Sequence, residues 1–254
     1  MEIRFDNKIV LVTGSSRGIG AAVAKKFAGL GATVIIHYSQ NKKKAKETFD
    51  GLHGSCHMLL QADLSVPEDV KRLFDKIIRQ KEKIDILVNN AGIYEEEKWW
   101  ELEFDQWQEH WKRTIETNLT GMANLSFLVA KQMIGQGYGR IINISSRGAF
   151  RGEPSALPYG AAKAAMNSFG QSMAWAMADK NVFVYTLAPG WVDTDMTHDI
   201  LETDRGKAVK AQSPMNRVAS PEELAHAVML LAIPGNEFMS GCIVDMNGVS
   251  YLRS

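Results

Sequence analysis

The sequence predicts an α/β protein: a single domain built on a doubly wound parallel sheet of about seven strands, with helices on both faces. Short apolar β-type runs alternate with helical patterns along the whole chain, and no break in composition divides its 254 residues into two parts. In addition, the first strand runs directly into a glycine-rich turn and a helix, which is the order of elements in a dinucleotide-binding unit.

The bulk composition argues against several kinds of partner. Because 29 basic residues balance 29 acidic ones, the net charge favours neither nucleic acid nor an anionic membrane. No apolar run reaches the ~18 to 20 residues of a membrane span, and residues 1–6 lack the apolar core of a signal peptide. We therefore expect a cytoplasmic protein that acts on a small molecule. Cys56, Cys242 and the scattered histidines lack metal-ligand spacing, which predicts buried free thiols and no metal site.

The first strand, residues 8–13, is followed by a glycine-rich turn and by a helical pattern over residues 21–30. Glycines let the backbone approach a pyrophosphate, and the helix start offers it unpaired N–H groups and a positive dipole end. The turn is spaced Gly-x-x-x-Gly-x-Gly rather than Gly-x-Gly-x-x-Gly. The turn residues expected to bind the cofactor are Gly14, Ser16, Arg17, Gly18, Ile19 and Gly20.

The second strand, residues 33–38, ends without the acid that binds a free ribose 2′-hydroxyl in enzymes specific for the unphosphorylated cofactor. Residues 37–40 read His-Tyr-Ser-Gln, and the next acid comes only at Glu47. This pattern favours NADP(H), with NAD(H) possible, because a 2′-phosphate is bound by charge and by hydroxyl groups. The lysine run 42–44 fits a phosphate, but it is also typical of the solvated start of a helix. The residues expected at this ribose are Arg17, Tyr38 and Ser39.

Strands three and four, residues 57–62 and 85–88, flank a helix expected over residues 67–80. Each strand ends in polar or small residues at the edge of the sheet where ligands bind in open α/β folds. Asp63 is expected either to receive the adenine amino group or to act as a cap or loop residue. The residues of these two loops expected at the cofactor are Asp63, Leu64, Asn90, Ala91 and Gly92.

A long helix is expected over residues 105–135, with Asn118 in its middle. Because asparagine is a weak helix former, its polar side chain at this position indicates a function. Four of the six tryptophans lie in residues 94–111, where we interpret them as packing residues rather than as substrate-binding ones.

The fifth strand, residues 140–145, delivers Ser145 and Ser146 to the carboxyl edge of the sheet. Tyr159 and Lys163 follow, four residues apart, so they share one face of the next helix. A positive charge ~4 to 5 Å from a phenol lowers its pKa by roughly 2 to 3 units, which would poise Tyr159 near neutrality as a proton-transfer group.

The remaining elements are a sixth strand over residues 182–188, a helix over 221–232 and a last strand over 242–245. Pro189 and Gly190 close the sixth strand. We interpret the mixed segment that follows, roughly residues 191–216, as a mobile lid over the substrate.

Taken together, these motifs resemble the short-chain dehydrogenase/reductase family. The resemblance spans nearly the whole chain and implies a Rossmann fold of seven strands that transfers a hydride between a nicotinamide cofactor and a carbonyl or alcohol. The motifs that carry it are Thr13-Gly14-x-x-x-Gly18-Ile19-Gly20, Asn89-Asn90-Ala91-Gly92, Asn118, Ser146, Tyr159-x-x-x-Lys163 and Pro189-Gly190.

The resemblance implies a role for each site residue. Tyr159 is the acid/base, and Ser146, thirteen residues before it, hydrogen-bonds the substrate oxygen while Ser145 packs beside it. Lys163 lowers the pKa of the tyrosine and holds the nicotinamide ribose, and Asn118 holds a water in the proton relay. The loop residues expected at the nicotinamide are Pro189, Gly190, Val192 and Thr194. Val249 departs from the family pattern, since a glycine is often found there.

Residues 189–196 and 215–223 resemble the 3-oxoacyl carrier-protein reductases and their relatives. Residues 135–138 lack the basic side chains with which such reductases dock an acidic carrier, so we expect a reductase of small ketones or 3-oxoacyl-type compounds. A sugar or polyol dehydrogenase is an alternative, and so is a non-catalytic cofactor-binding sensor or scaffold.

The family resemblance also suggests a homotetramer, or a homodimer, formed through the helices expected over residues 105–135 and 159–178. Both helices carry more apolar surface than the sheet alone is expected to cover. The apolar residues considered for this interface are Phe127, Met133, Phe169, Met173 and Trp175.

Overall fold

The computed structural model describes residues 3–195 and 197–253, and within them seven parallel strands form one sheet. The strands are β1 (Ile9–Val12), β2 (Thr33–Tyr38), β3 (Met58–Gln61), β4 (Ile86–Asn89), β5 (Gly139–Ile144), β6 (Val182–Pro189) and β7 (Ile243–Met246). Their order across the sheet is β3-β2-β1-β4-β5-β6-β7. The predicted fold class is confirmed. Met1 and Glu2 of the N-terminal segment and Met196 of the expected lid lie outside the described residues.

Helices cover both faces of the sheet. They are α1 (Gly18–Gly29), α2 (Lys42–Asp50), α3 (Pro67–Lys81), α4 (Phe104–Ile115), α5 (Gly121–Gln136), α6 (Gly148–Arg151), α7 (Leu157–Met177), α8 (His198–Leu201), α9 (Asp204–Lys210) and α10 (Pro221–Ala232). Side chains alternate along each strand, so Val10 and Val12 of β1 pack with α1 and α10, while Leu11 packs with α3 and α5 on the other face. Burying each such side chain contributes roughly 1.5 to 3 kcal/mol, which is why these strands are almost wholly apolar.

The strand order reverses between β1 and β4, which lie side by side. Successive connections leave this point in opposite directions, so the loops that follow the two strands separate and open a crevice at the carboxyl edge of the sheet. The glycine-rich turn follows β1 and the Asn-Ala-Gly turn follows β4, so both predicted cofactor loops meet at this crevice.

The helix expected over residues 105–135 is not α-helical throughout. A π-helical turn, Glu116–Thr120, lies between α4 and α5 and contains Asn118. A π turn adds one residue to the hydrogen-bonded ring, and such turns are frequently found at functional sites. Met133, considered for an interface between subunits, is fully buried against the sheet of its own chain and is therefore excluded from that role.

The segment that follows β6 is more regular than a mixed loop, because it contains α8 and α9. Near the C-terminus, Val249 has a φ of 63°, the left-handed region that a β-branched residue rarely adopts. The glycine often found here in the resembling family would take this conformation freely.

Candidate active site

A cleft of about 880 Å³ opens at the carboxyl edge of the sheet, over the ends of β1, β4, β5 and β6. It brings together residues that the sequence analysis assigned separately to cofactor binding and to catalysis. Gly20 and Asn118 are the two predicted site residues that do not line it. Those that do are Gly14, Ser16, Arg17, Gly18, Ile19, Tyr38, Ser39, Asp63, Leu64, Asn90, Ala91, Gly92, Ser146, Tyr159, Lys163, Pro189, Gly190, Val192 and Thr194.

The glycine-rich turn passes close under the loop that follows β4, residues 90–98, which is called the β4 loop below. Gly14 has a φ of 62°, and a Cβ atom built on it would lie 2.8 Å from Cα of Ala91, so no larger residue fits. A Cβ atom on Gly20 would lie 2.5 Å from the carbonyl oxygen of Gly14. Gly20 therefore packs against the turn itself and does not face the cleft. The first helix then begins at Gly18 without a side-chain cap and without an acid in its first turn, so its N–H groups are left for an anionic ligand.

Asn90 and Thr13 lock the two loops together. Nδ2 of Asn90 donates to the carbonyl oxygens of Thr13 and Gly14 at 2.9 and 3.1 Å. Oγ1 of Thr13 accepts from the backbone N–H groups of Asn90 and Ala91, both at 3.0 Å. The polar side chain of Asn90 is thus used within the protein, and its contribution to the cleft is mainly to hold the shape of the two turns.

The buried residue His37 supports the same turn, a role that no sequence pattern predicted. Its Nδ1 accepts from the backbone N–H of Gly14 at 3.0 Å, and its Nε2 lies 3.2 Å from the carbonyl oxygen of Ala62. These partners place the proton on Nε2, because Nδ1 must accept. Burial lowers the pKa of His37 to about 4, so the ring is neutral at physiological pH. In the sequence His37 stands 23 residues after Gly14, so its contact with the turn is visible only in the folded chain.

The end of β2 differs from expectation in one respect. Tyr38 is only 6% exposed and packs in the apolar core, whereas Ser39 and Arg17 are exposed at the cleft. Lys44 pairs with Asp195 of the segment after β6, across the cofactor end of the cleft. Lys42 and Lys43 do not line the cleft.

Asp63 lines the cleft but also has a local structural role. Its Oδ1 accepts from the backbone N–H of Ser65 at 2.9 Å and from the Ser65 hydroxyl at 2.7 Å. These bonds form the turn before α3 and leave the other carboxylate oxygen for a ligand. The position of Asp63 is therefore compatible with both predicted roles, binding of the adenine amino group and formation of the local turn.

Ser146, Tyr159 and Lys163 converge at the centre of the cleft. Tyr159 lies in the first turn of α7 and Lys163 one turn later, with Nζ of Lys163 5.6 Å from the centre of the tyrosine ring. Nζ donates to the carbonyl oxygen of Ile144 at 2.7 Å. Oγ of Ser146 accepts from the backbone N–H of Gly148 at 3.0 Å, so its single hydroxyl proton can be donated either to Tyr159 or to a ligand. Ser145 is turned away and donates to the carbonyl oxygen of Lys163 at 3.3 Å.

The expectation that Lys163 poises Tyr159 near neutrality is wrong for this arrangement. Burial raises the pKa of Tyr159 to about 12, and the hydrogen bond from Ser146 offsets only part of that rise. Burial also lowers the pKa of Lys163 to about 8. The physical reason is that both groups lose hydration in the cleft, while the ammonium is bonded to a backbone carbonyl rather than to the phenol.

Asn118 lies behind this group, fully buried in the π turn. Its Oδ1 accepts from the backbone N–H of Ile93 at 2.8 Å, and its Nδ2 donates to the carbonyl oxygen of the same residue at 2.8 Å. A Cβ atom on Gly92 would lie 3.2 Å from Oδ1 of Asn118 and 3.7 Å from Nζ of Lys163. Asn118 therefore fixes the β4 loop beside Lys163.

The other end of the cleft is lined by residues to which the sequence analysis gave no role. The ring of Tyr94 meets that of Tyr159 edge to face at 5.0 Å, and its hydroxyl donates to Glu96 at 2.9 Å. Sequence offered no signal for these residues, because they come from distant segments without a shared motif. The charged residues that line this end of the cleft are Glu95, Arg113, Arg147 and Glu153.

The segment after β6 closes one side of the cleft. Val192 forms a parallel bridge with Ala219, and the side chain of Thr194 lies 3.2 Å from where a Cβ atom on Gly18 would be. Farther along the segment, Arg205 of α9 binds Glu96 through two hydrogen bonds of 2.8 and 2.5 Å. These contacts join the segment to both ends of the cleft.

In the part of the chain that the structure describes, no group of three or more His, Cys, Asp or Glu side chains is arranged to hold a metal ion. Over the same residues, no helix is long and apolar enough to cross a membrane. Both cysteines are free thiols, but Cys56 is exposed, so the expectation of two buried thiols is wrong for it.

Comparisons with known proteins agree with this geometry. The model of the short chain dehydrogenase family matches residues 8–205. The chain is 36% identical to the 3-oxoacyl-(acyl-carrier-protein) reductase FabG of Aquifex aeolicus, over 98% of this chain and 99% of that one. It is also 36% identical to the FabG of Escherichia coli, over 98% and 100% of the two chains. The crystal structure of a putative gluconate dehydrogenase from Agrobacterium tumefaciens superposes with a TM-score of 0.90 at 29% identity, covering 98% of each chain. The chain thus belongs to the short chain dehydrogenase family and is an NAD(P)-dependent oxidoreductase of CH–OH and carbonyl groups.

Proposed function

We propose that the protein is an NADP(H)-dependent reductase of carbonyl compounds, either small ketones or 3-oxoacyl-type compounds. The observation that carries the proposal is the convergence of Ser146, Tyr159 and Lys163 in the same cleft as the glycine-rich turn. The similarity to two reductases named for 3-oxoacyl substrates supports the direction of the reaction. The similarity to a putative gluconate dehydrogenase keeps a sugar dehydrogenase as the second candidate.

The residues present fit a nicotinamide dinucleotide. The uncapped start of α1 and the close approach of Gly14 to Ala91 form a backbone cradle in which N–H groups can hold phosphates. Leu64, Asn90, Ala91 and Gly92 would border the adenosine and the first ribose, and the loop from Pro189 to Thr194 would border the nicotinamide. When bound, this cofactor supplies the hydride in reduction and accepts it in oxidation.

Tyr159 would act as the proton donor in reduction. With a pKa of about 12, its phenol is protonated at neutral pH and is ready to give its proton to the oxygen of a carbonyl as that oxygen gains charge. The Ser146 hydroxyl would donate a second hydrogen bond to the same oxygen. In this proposal, Lys163 holds the nicotinamide ribose through its ammonium and stabilises the phenolate that remains.

Asn118 would organise the proton supply without contacting the substrate. Both polar atoms of its side chain are bonded to the backbone of Ile93, so a relay water would be held by other groups of the π turn and by Lys163. This refines the role implied by family resemblance, in which Asn118 holds the water.

The preference for NADP(H) rests on the end of β2. Arg17 and Ser39 are exposed there, and His37 is engaged by the turn, so an added phosphate would meet a guanidinium and a hydroxyl rather than a carboxylate. A carboxylate at this position would bind the free 2′-hydroxyl and repel the phosphate.

We also propose that residues 191–216 act as a lid and that the chain forms a homotetramer or homodimer through α5 and α7. Phe127 of α5 is 59% exposed and Trp175 of α7 is 92% exposed, which is unusual for side chains of this size. Mass measurement in solution at micromolar concentration tests the assembly, and a monomer would contradict it.

The experiment that tests the function is a substrate screen with both reduced cofactors. We expect NADPH oxidation with at least one small ketone or 3-oxoacyl compound, and slower oxidation of NADH. Faster reduction of NADP⁺ or NAD⁺ by polyols or sugar acids would favour the dehydrogenase. Cofactor binding without turnover on any compound would mean that the protein is a sensor or scaffold.

A further inference from the structure

Most charged side chains at the substrate end of the cleft are neutralised within the protein. Glu95 pairs with Arg113, and Glu153 lies 3.7 Å from Arg151. Glu96, just outside the cleft lining, pairs with Arg205. Each of these carboxylates therefore has a guanidinium partner, and together they leave no net charge.

Arg147 is different, because it is a buried cation whose partners are neutral. It is 3% exposed, and its two terminal nitrogens donate to the Ser250 hydroxyl and, at 2.6 Å, to Oε1 of Gln212. Among the described residues, no carboxylate lies within ion-pair distance of it. Burial and the nearby Arg151 lower the pKa of Arg147 to about 10, and Glu153 offsets part of this fall, so the guanidinium remains charged at neutral pH. Glu153 acts on Arg147 only from beyond ion-pair distance and is shared with Arg151, so the two guanidiniums have one carboxylate between them. A buried charge that is only partly compensated is destabilising, which indicates that a ligand completes the pair.

Arg147 lies where it can act on the substrate. It follows Ser146 directly in the chain, and its backbone N–H is fixed at 2.8 Å to the carbonyl oxygen of Pro189. Arg147 lines the main cleft and also a side pocket of about 160 Å³, and Trp191 lines both as well. An anion bound by Arg147 would therefore share the cleft with the carbonyl group that Ser146 holds.

We propose that Arg147 binds a carboxylate carried by the substrate, so that the compound reduced is an oxo acid and the product the corresponding hydroxy acid. This inference rests on the proposed function. A planar guanidinium matches the two oxygens of a carboxylate, and an ammonium does not match them in the same way. Burial also raises the pKa of the Glu153 carboxyl, although Arg151 and Arg147 act in the opposite direction, and this reduces the negative charge that Glu153 sets against a bound anion. Arg147 is a specificity-determining residue in this proposal.

The test compares acids with their methyl esters, which carry the same carbonyl group without the charge. NADPH oxidation is measured with 2-oxobutanoate, 3-oxobutanoate and 4-oxopentanoate and with the methyl ester of each, so that the distance between carbonyl and carboxylate varies. We expect at least one acid to exceed its ester tenfold or more in kcat/KM. In Arg147→Met, which keeps side-chain bulk without charge, the acid-to-ester ratio should fall at least tenfold. The ratio cancels any general loss of activity.

Ser250→Ala is the matched control, since it removes a neutral partner of Arg147 and leaves the cation in place. The ratio should persist in this variant, and its loss would mean that the contacts of Arg147 are only structural. If Arg147→Met does not fold, Arg147→Lys is used instead. The acid-to-ester ratio should then fall because an ammonium lacks the paired N–H groups of the planar guanidinium. Turnover of esters or other neutral carbonyl compounds with no preference for any acid overturns the inference and leaves the proposed function standing. Absence of turnover on every carbonyl compound overturns both.

Discussion

The two halves of the cleft are built in different ways. The cofactor half is made of backbone turns held together by hydrogen bonds to backbone atoms, such as the bonds of Asn90 to Thr13 and Gly14. The substrate half is made of charged and aromatic side chains that come from separate segments, for example Tyr94, Arg113 and Arg147. The first half is specified by where a side chain must be absent, and the second by which side chains are present.

This difference determines which amino-acid substitutions each half of the cleft tolerates. A close backbone approach tolerates almost no substitution, because a Cβ atom on Gly14 or Gly20 would lie within 2.8 Å of other atoms. An ion pair such as that of Glu95 with Arg113 can be exchanged for another pair at little cost in stability. One scaffold can therefore keep its cofactor while its substrate changes.

The largest effect is expected where the two halves meet, at Tyr159. Tyr159→Phe removes the proton donor but keeps the ring that contacts Tyr94, so kcat should fall by about 10²- to 10⁴-fold. Because the phenol serves the chemistry and not cofactor binding, the dissociation constant for NADPH, measured by fluorescence titration, should stay within a few-fold. Activity within tenfold of the unaltered protein would remove Tyr159 from this role.

The next effect concerns the cofactor half alone. The unaltered protein should prefer NADPH to NADH at least tenfold in kcat/KM, since one charge-assisted contact contributes roughly 1.5 to 3 kcal/mol. Tyr38→Asp would test this in principle, but Tyr38 is packed in the core, so the substitution would also destabilise the fold. Ser39→Asp is the better variant, because Ser39 is exposed at the same strand end.

In Ser39→Asp the ratio of NADPH to NADH use should fall by roughly a hundredfold, since a contact is lost and a repulsion is added. Ser39→Ala is the control, in which the ratio should change only a few-fold. A parent enzyme that prefers NADH, or an unchanged ratio in the aspartate variant, would show that the end of β2 was misinterpreted.

The same contrast explains what the sequence could reveal. The strand ends, the glycine-rich turn and the spacing of Tyr159 and Lys163 follow from local rules of backbone geometry, and the structure places these elements at one cleft. The π turn at Asn118, the burial of Tyr38 and the neutral hydrogen-bond partners of Arg147 depend on contacts between segments far apart in the chain. No periodicity or spacing encodes such contacts, so they appear only when the chain is folded.

Substitutions of His37 test whether a side chain contributes to NADPH binding in the cofactor half. Asparagine at position 37 can place its Oδ1 near the position of Nδ1 and keep the bond from Gly14, whereas glutamine reaches only toward Ala62. His37→Gln should therefore raise the KM for NADPH roughly tenfold with kcat little changed, and His37→Asn should restore most of the affinity. Equal effects of the two variants would indicate general damage to the turn.

His37 also predicts a pH dependence of stability. The unfolded chain takes up a proton near the ordinary value of 6.5 and the folded chain only near 4, so the free energy of unfolding falls as pH drops between these values. The slope contributed by this residue is about 1.4 kcal/mol per pH unit. Denaturant titrations at pH 6.5 and 5.0 should show a larger loss for the unaltered protein than for His37→Asn.

The smallest effect is expected from the ion pair between Arg205 of the lid and Glu96 beside the substrate half, referred to below as the tie. Arg205→Gln removes the ion pair with Glu96, and exposed pairs contribute only about 0.2 to 1 kcal/mol. Because the tie holds α9 beside the β4 loop, the KM for the carbonyl substrate should rise by about two- to fivefold, while the KM for NADPH stays unchanged. High salt should produce the same rise in the unaltered protein and no further rise in the variant.

The arginine lowers the pKa of the Glu96 carboxyl, so the tie is complete above the ordinary pKa of a glutamate and constant across neutral pH. Lys71→Gln is the matched control: it removes an exposed ion pair with Asp75 on α3, and neither residue lines the cleft. If the control raises the substrate KM as much as Arg205→Gln does, or if the NADPH KM moves instead, the tie does not belong to the substrate half. The two halves would then be coupled through the lid, because Asp195 of the same segment already pairs with Lys44 at the cofactor end.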